Sequence, residues 1–132
     1  MNEYQIGYLA GLVDGEGTIT FCKSRGTFFP SISIGVIDKS VIDNLHSWLG
    51  FGHIYITDLP SGKSIYRIYW RKQIEVMKVL NLIMPHLIIK QEQAKQVLSW
   101  VQSRKVGIYK GDPLSEWELS LCNLVRELNG GI

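Results

Sequence analysis

Two carboxylates and one ammonium stand where the backbone does not favour their charge. Asp14 and Glu16 fall at the C-terminal end of an apolar, glycine-rich stretch over residues 4–13 that reads as a helix, and anions there meet the partial negative charge of its last carbonyls. Lys90 is the mirror case, a cation near the start of a later helix, where a nearby anion such as a phosphate would relieve it. A divalent cation held by a carboxylate and a freed backbone carbonyl, such as that of Gly15, would supply the acids with their counter-charge. Mg²⁺ takes oxygen ligands of this kind. Together the three groups resemble the ingredients of metal-assisted phosphodiester hydrolysis, in which metal activates water and stabilises the leaving oxygen.

The elements that must position these groups follow from periodicity. Apolar and small residues cover every side of the first helix, with Ile6, Leu9, Ala10 and Val13 on one stripe, Tyr4, Tyr8 and Leu12 on another, and Gly7 and Gly11 on a third. Such a helix is expected to be buried all round. Its glycine stripe permits close approach by a second backbone or tight packing on the chain's own sheet, and each glycine costs roughly 1 kcal/mol relative to alanine, so two need a reason. Strands of period two are expected at 17–23 and 31–36, then a helix over 39–49, then strands at 53–57 and 64–70 joined by a turn at Pro60, Ser61 and Gly62. Helices follow over 71–84, 89–105 (Ala94, Val97, Leu98 and Val101 inward) and 114–128. The last is expected to start with Asp112 as N-cap and Pro113 at its first position, to bury Leu114, Trp117, Leu121, Leu124 and Leu128, and to stop at Asn129-Gly130. Helix, hairpin, helix, hairpin is an α+β order, α-β-β-α-β-β-α, with one antiparallel four-stranded, saddle-shaped sheet and added C-terminal helices.

One face of that sheet is Ile, Val and Phe, whereas the other is almost wholly Ser, Thr, His, Tyr and Arg, side chains able to reach base edges and phosphates. A solvated sheet face is the plain alternative. Charge runs the same way: residues 63–110 carry ten Lys and Arg against Glu75 and Glu92, net +8, while the segments before and after each come to −3. A basic middle between acidic ends suits a polyanion, as it also suits an ordinary charged surface. The 132 residues make one domain, 1–132, with 45% hydrophobic content, which excludes a disordered tail and a disulfide-stapled mini-protein. Cys22 and Cys122 lie far apart without metal-ligand spacing, so a reducing compartment is expected. No apolar run reaches 18 residues and no signal segment opens the chain, from which no membrane partner and no secretion are expected.

Residues 9–17, Leu-Ala-Gly-Leu-Val-Asp-Gly-Glu-Gly, resemble the signature of the LAGLIDADG homing endonucleases, and the stretch Lys90-Gln91-Glu92-Gln93-Ala94 is similar to the segment that carries that family's active-site lysine. The α-β-β-α-β-β-α order is the family's half-unit. A single motif implies a homodimer whose first helices pair through Gly7, Ala10 and Gly11, with Asp14 stabilising the helix ends at that interface. By position, Glu16 is then the metal-binding catalytic acid, Gly15 lends its carbonyl, Lys90 stabilises phosphate charge or polarises the water, and Asp38 positions water unless it only caps the next helix. Ile42 stands where some homodimeric relatives add a basic residue.

The resemblance implies hydrolysis of both strands of a long pseudo-palindromic DNA site with Mg²⁺ as cofactor, Mn²⁺ or Ca²⁺ able to take the same place, leaving short 3′ overhangs. The expected DNA contacts are Thr18, Thr20, Cys22, Ser24, Ser31, Ser33, His53, Tyr55, Thr57, Arg67 and Tyr69, with Lys23, Arg25 and Lys63 on phosphates. An intron-encoded protein of a bacterial, archaeal or organellar interior is the implied origin. The rival readings are an RNA maturase that binds its own intron RNA, a non-catalytic DNA-binding regulator and a plain dimeric interaction module.

Overall fold

The computed structural model describes residues 1–104 and 114–130. Its elements run α1 (Glu3–Glu16), β1 (Gly17–Ser24), β2 (Thr27–Val36), α2 (Lys39–Leu49), β3 (His53–Asp58), β4 (Ser64–Trp70), α3 (Gln73–Ile83), a 3₁₀ turn (Met84–His86), α4 (Gln91–Ser103) and α5 (Glu116–Leu128). The four strands form one antiparallel sheet in the order β1-β2-β4-β3. This is the expected α+β arrangement. No helix among the described residues is long and apolar enough to cross a membrane.

β2 starts four residues earlier than expected. Ser24 pairs directly with Thr27, and Arg25 and Gly26 between them both take positive φ, 50° and 78°, so the hairpin closes in two residues as a primed turn whose twist matches the strands. Pro30 in this added segment forfeits nothing on the far side, because β4 pairs with β2 only from Ile32 to Val36 and proline is tolerated where one strand edge is open.

Helices cover one face. Ile19, Phe21, Ile32, Ile34, Ile68 and Trp70 from the sheet meet Leu9, Ala10 and Val13 of α1, Ile42 and Leu45 of α2, Val76, Val79, Leu80 and Ile83 of α3, and Ala94, Val97, Leu98, Trp100 and Val101 of α4 in one core. Trp70 is fully buried, and its indole N–H donates to the Phe51 carbonyl at 3.3 Å. Both cysteines are free thiols, and burial pushes the Cys122 thiol up to about 12, which leaves it unreactive.

Three expectations about helices are corrected. First, α1 is not buried all round: Leu9, Ala10 and Val13 face the core, while Tyr4, Gly7, Tyr8, Gly11 and Gly15 are exposed. Apolar composition alone did not reveal which stripe the chain itself covers. Second, the proposed Asp112 cap and Pro113 lie outside the described residues, and α5 begins instead after Ser115, whose hydroxyl and backbone trade hydrogen bonds with Glu118 in a capping box. Third, α5 buries Leu121, Cys122 and Val125, leaving Trp117 (51% exposed), Leu124 and Leu128 in the open.

The partly buried Arg104–Glu118 ion pair (3.0 Å) ties α5 to the end of α4. Burial alone would raise the Glu118 carboxyl, but hydrogen bonds from Ser115 and Arg104 outweigh it and hold the group below its ordinary value. At the other end Asn129 donates to the Ile19 carbonyl at 2.7 Å and accepts from Gln93 at 3.3 Å. These polar anchors favour the observed rotation of α5 over one that would bury its larger apolar side chains.

Gly17 is needed where the chain turns from α1 into β1. Its φ of −97° suits any residue, but a Cβ there would lie 2.7 Å from the Val13 Cα and 2.9 Å from the Val13 oxygen, both backbone. Backbone cannot step aside as a side chain can. Gly17→Ala is therefore expected to cost about 1–3 kcal/mol and lower the melting temperature by roughly 4–15 °C, which a thermal melt monitored by circular dichroism will check.

Candidate functional site

The misplaced charges answer one another. The C-terminal end of α1 abuts the N-terminal end of α4, so the carbonyl end of one dipole faces the amide end of the other. Asp14 accepts from the backbone N–H groups of Ile88 (2.7 Å), Ile89 (3.1 Å) and Lys90 (3.0 Å), the donors that lead into α4. In return the Lys90 ammonium donates to the Asp14 carbonyl at the end of α1. Asp14 thus joins helix ends of its own chain, where the resemblance placed it at helix ends of a dimer interface.

This junction disposes of one acid and leaves the other. The Glu16 side chain is exposed and makes no hydrogen bond or ion pair among the described residues. Of the last four carbonyls of α1, which lack intrahelical partners, that of Val13 accepts from the Gly17 N–H and that of Asp14 from Lys90. The Gly15 carbonyl and the Glu16 carboxylate remain as adjacent hard oxygen donors, and the Lys90 ammonium is pinned two residues away along the backbone.

Such donors suit Mg²⁺ or Ca²⁺ and do not suit a soft-ligand metal. Among the described residues no group of three or more His, Cys, Asp or Glu could hold a metal by itself. Asp38 caps α2: its Oδ1 accepts from the Ser40 N–H (2.9 Å) and hydroxyl (2.6 Å), which hold its carboxyl below the ordinary carboxylate range.

Register assembles the polar face. Thr18, Ser33, Tyr69 and His53 line up across all four strands, and Gly35, Arg67 and Tyr55 form the next row toward the Glu16 end. Thr20 pairs with Ser31 and Cys22 with Phe29, while Thr57 accepts from Arg67 Nη1 at 3.1 Å. Ser24 and Arg25 are at the β1–β2 hairpin, and Lys63 is exposed in the β3–β4 turn.

Three expected residues sit elsewhere. Ser31 is only 3% exposed, hidden despite its parity. Lys23 shares the face of Ile19 and Phe21, its ammonium 5.9 Å from the Phe28 ring centroid. Ala10 is 1% exposed and packs into the chain's own core, which removes it from the open α1 stripe.

One residue was missed. Arg71 continues the alternation of Arg67 and Tyr69 one step past β4, with its Cζ 4.3 Å from the Tyr69 ring centroid and 5.9 Å from that of Phe29, itself on the polar face. Extending the period-two count to residue 71 would have found it.

The open α1 stripe has aromatic company. Tyr4, Tyr8 and Trp48 of α2 form a cluster with ring centroids 5.7–6.5 Å apart, Tyr4 being 71% exposed. A Cβ added at Gly7, Gly11 or Gly15 would meet nothing within 4 Å. Packing on the chain's own sheet therefore does not explain these glycines.

The structure superposes on the homing endonuclease I-TnaI with a TM-score of 0.71 at 20% identity, covering 96% of this chain and 89% of that one. Against I-CvuI, solved with the I-CreI target and Mg, the TM-score is 0.63 at 16% identity over 96% of each chain. Against the LAGLIDADG meganuclease I-AabMI bound to uncleaved DNA it is 0.63 at 18% identity, covering 77% of this chain and 36% of that one. The fold is the LAGLIDADG endonuclease fold.

In sequence, 65 residues are 38% identical to the "Probable intron-encoded DNA endonuclease 1" of Mycosarcoma maydis. The match takes in 46% of this chain and 24% of that protein, so the chain spans about a quarter of the relative's length. No family model matches the chain.

Proposed function

We propose that this chain is an intron-encoded homing DNA endonuclease that works as a homodimer, hydrolysing both strands of a long pseudo-palindromic duplex with Mg²⁺ and leaving short 3′ overhangs. The observation that carries the reading is the Asp14 junction, beside which Glu16, unpartnered among the described residues, and a pinned Lys90 stand at one end of a polar sheet face. The DNA-bound neighbours and the intron-encoded relative support the substrate. Glu16 and the Gly15 carbonyl would hold the metal, which when bound supplies Lewis acidity and lowers the pKa of water.

The chain's own groups do the rest. Lys90 places a fixed positive charge beside the phosphate. Asp38, with Oδ1 occupied by Ser40, keeps Oδ2 as an acceptor for water. Hydroxyls of Thr18, Thr20 and Ser33 with His53, Tyr55, Tyr69 and Arg67 face the bases, and Arg25 and Lys63 reach phosphates from the turns.

A second copy of the chain answers the remaining oddity. Alanine in place of an exposed helical glycine gains about 0.5–1 kcal/mol, so three open glycines on one stripe of a lone α1 would be an unexplained cost. Against another α1 they let the backbones meet and bring two Glu16 side chains together. Incubation of the chain with a randomised duplex library and Mg²⁺, followed by sequencing of the ends, tests the whole reading. Site-specific double-strand cuts with short 3′ overhangs are expected. Tight binding of one duplex without cutting would favour the regulator, and indifference to duplex DNA would favour intron RNA as ligand.

A further inference from the structure

Two arginines, Arg67 in β4 and Arg71 one residue past its end, are held before any ligand arrives. Arg67 donates from Nη1 to Thr57 at 3.1 Å and lies over Gly35, where an added Cβ would stand 3.2 Å from its Cγ and 3.3 Å from its Nε. Arg71, exposed, stacks on Tyr69 with Phe29 beside it. Stacking engages the guanidinium faces and leaves its edge donors available, and a side chain already fixed loses less rotamer freedom on binding.

Their place on the sheet separates them from phosphate contacts. Arg67 lies on an inner strand flanked by β2 and β3, and Arg71, just past the end of that strand, is held against Phe29 of β2; the middle of a sheet laid in the major groove lies over base edges, while its margins and turns approach the phosphate walls. Arginine there pairs bidentately with guanine O6 and N7. Four residues along one strand span about 13 Å, and a duplex rises about 3.4 Å per base pair, so the two side chains are about four base pairs apart. Arg67 is the nearer to the Glu16 end, since Gly17 pairs with Ile34 and Arg67 with the adjacent Gly35.

Resting on the endonuclease reading above, we infer that each half-site carries two guanines about four base pairs apart, the inner read by Arg67 and the outer by Arg71. Duplexes selected for binding from a randomised library in Ca²⁺, and sequenced, test this with the full chain, Arg67→Ala, Arg71→Ala and Gly35→Val. The wild type is expected to select both guanines. Arg71→Ala is expected to erase the outer preference alone and weaken the selected site roughly tenfold or more, and Arg67→Ala the inner alone.

Gly35→Val retains every charge but pushes Arg67 aside, so it too is expected to erase the inner preference. Base preferences that survive both arginine substitutions, with affinity falling equally on all sequences and a shallower salt dependence, would make the arginines phosphate contacts and overturn the assignment while the endonuclease reading stands. A chain that binds no duplex overturns both.

Discussion

Glu16→Gln is expected to abolish cleavage, with a loss of about 10³-fold or more, while duplex binding persists. The change keeps size and shape and removes one negative charge from a residue that is exposed and unpartnered among the described residues. If that charge holds a divalent cation, its loss forfeits several kcal/mol of transition-state stabilisation. The same substitution has an opposite expected effect on stability. An anion at a helix C-terminus opposes the macrodipole by about 0.3–1 kcal/mol, so the variant is expected to melt no lower than the wild type and slightly higher at low salt. Single-turnover cleavage of the selected site, a gel-shift titration and a thermal melt read the three quantities. Cleavage undiminished in Glu16→Gln would remove this residue from the metal site.

The strands, their alternation and the order of elements were legible because period-two and helical patterns are local properties of the chain. The Leu9–Gly17 motif is local too, and the roles proposed for Glu16 and for a second copy of the chain rest on its resemblance to a family signature. What failed was long-range or two-residue in scale. The rotation of α5 depends on Arg104–Glu118 and on Asn129 reaching Ile19, contacts whose partners are far apart in sequence. The start of β2 turned on Arg25 accepting a positive φ, which no periodicity signals.

The site divides similarly. In the sequence Asp14 and Lys90 each look electrostatically misplaced, which suggests a metal for the first and a phosphate for the second. Only the tertiary contact reveals that they neutralise each other's helix ends across 76 positions of sequence. The oddity was a true signal, but half of its explanation is internal. Among the described residues Glu16 is the one of the three charges left without a partner.

That division gives Asp14→Ala a signature of its own. The carboxylate accepts three backbone N–H groups, at 2.7, 3.1 and 3.0 Å, at the entry to α4, and hydrogen bonds to a charged acceptor are worth about 1.5–3 kcal/mol each when dry. Here water can partly replace them, so the expected cost is about 2–4 kcal/mol in total, a fall in melting temperature of roughly 10 °C. Lys90 loses the anchor that fixes its backbone, and cleavage is expected to drop about a hundredfold through misplacement of an otherwise intact ammonium. Lys90→Met separates the two roles: the three backbone N–H donors to the Asp14 carboxylate are untouched and only the ammonium's hydrogen bond to the Asp14 carbonyl goes, so it is expected to melt near the wild type and still fail to cleave. Asp14→Asn, which keeps a carbonyl acceptor without the charge, should fall between wild type and Asp14→Ala in both melt and rate. Should Asp14→Ala lose cleavage at unchanged melting temperature, Asp14 would have to act on the reacting phosphate or metal directly, and the junction between α1 and α4 would not be what holds the active site together.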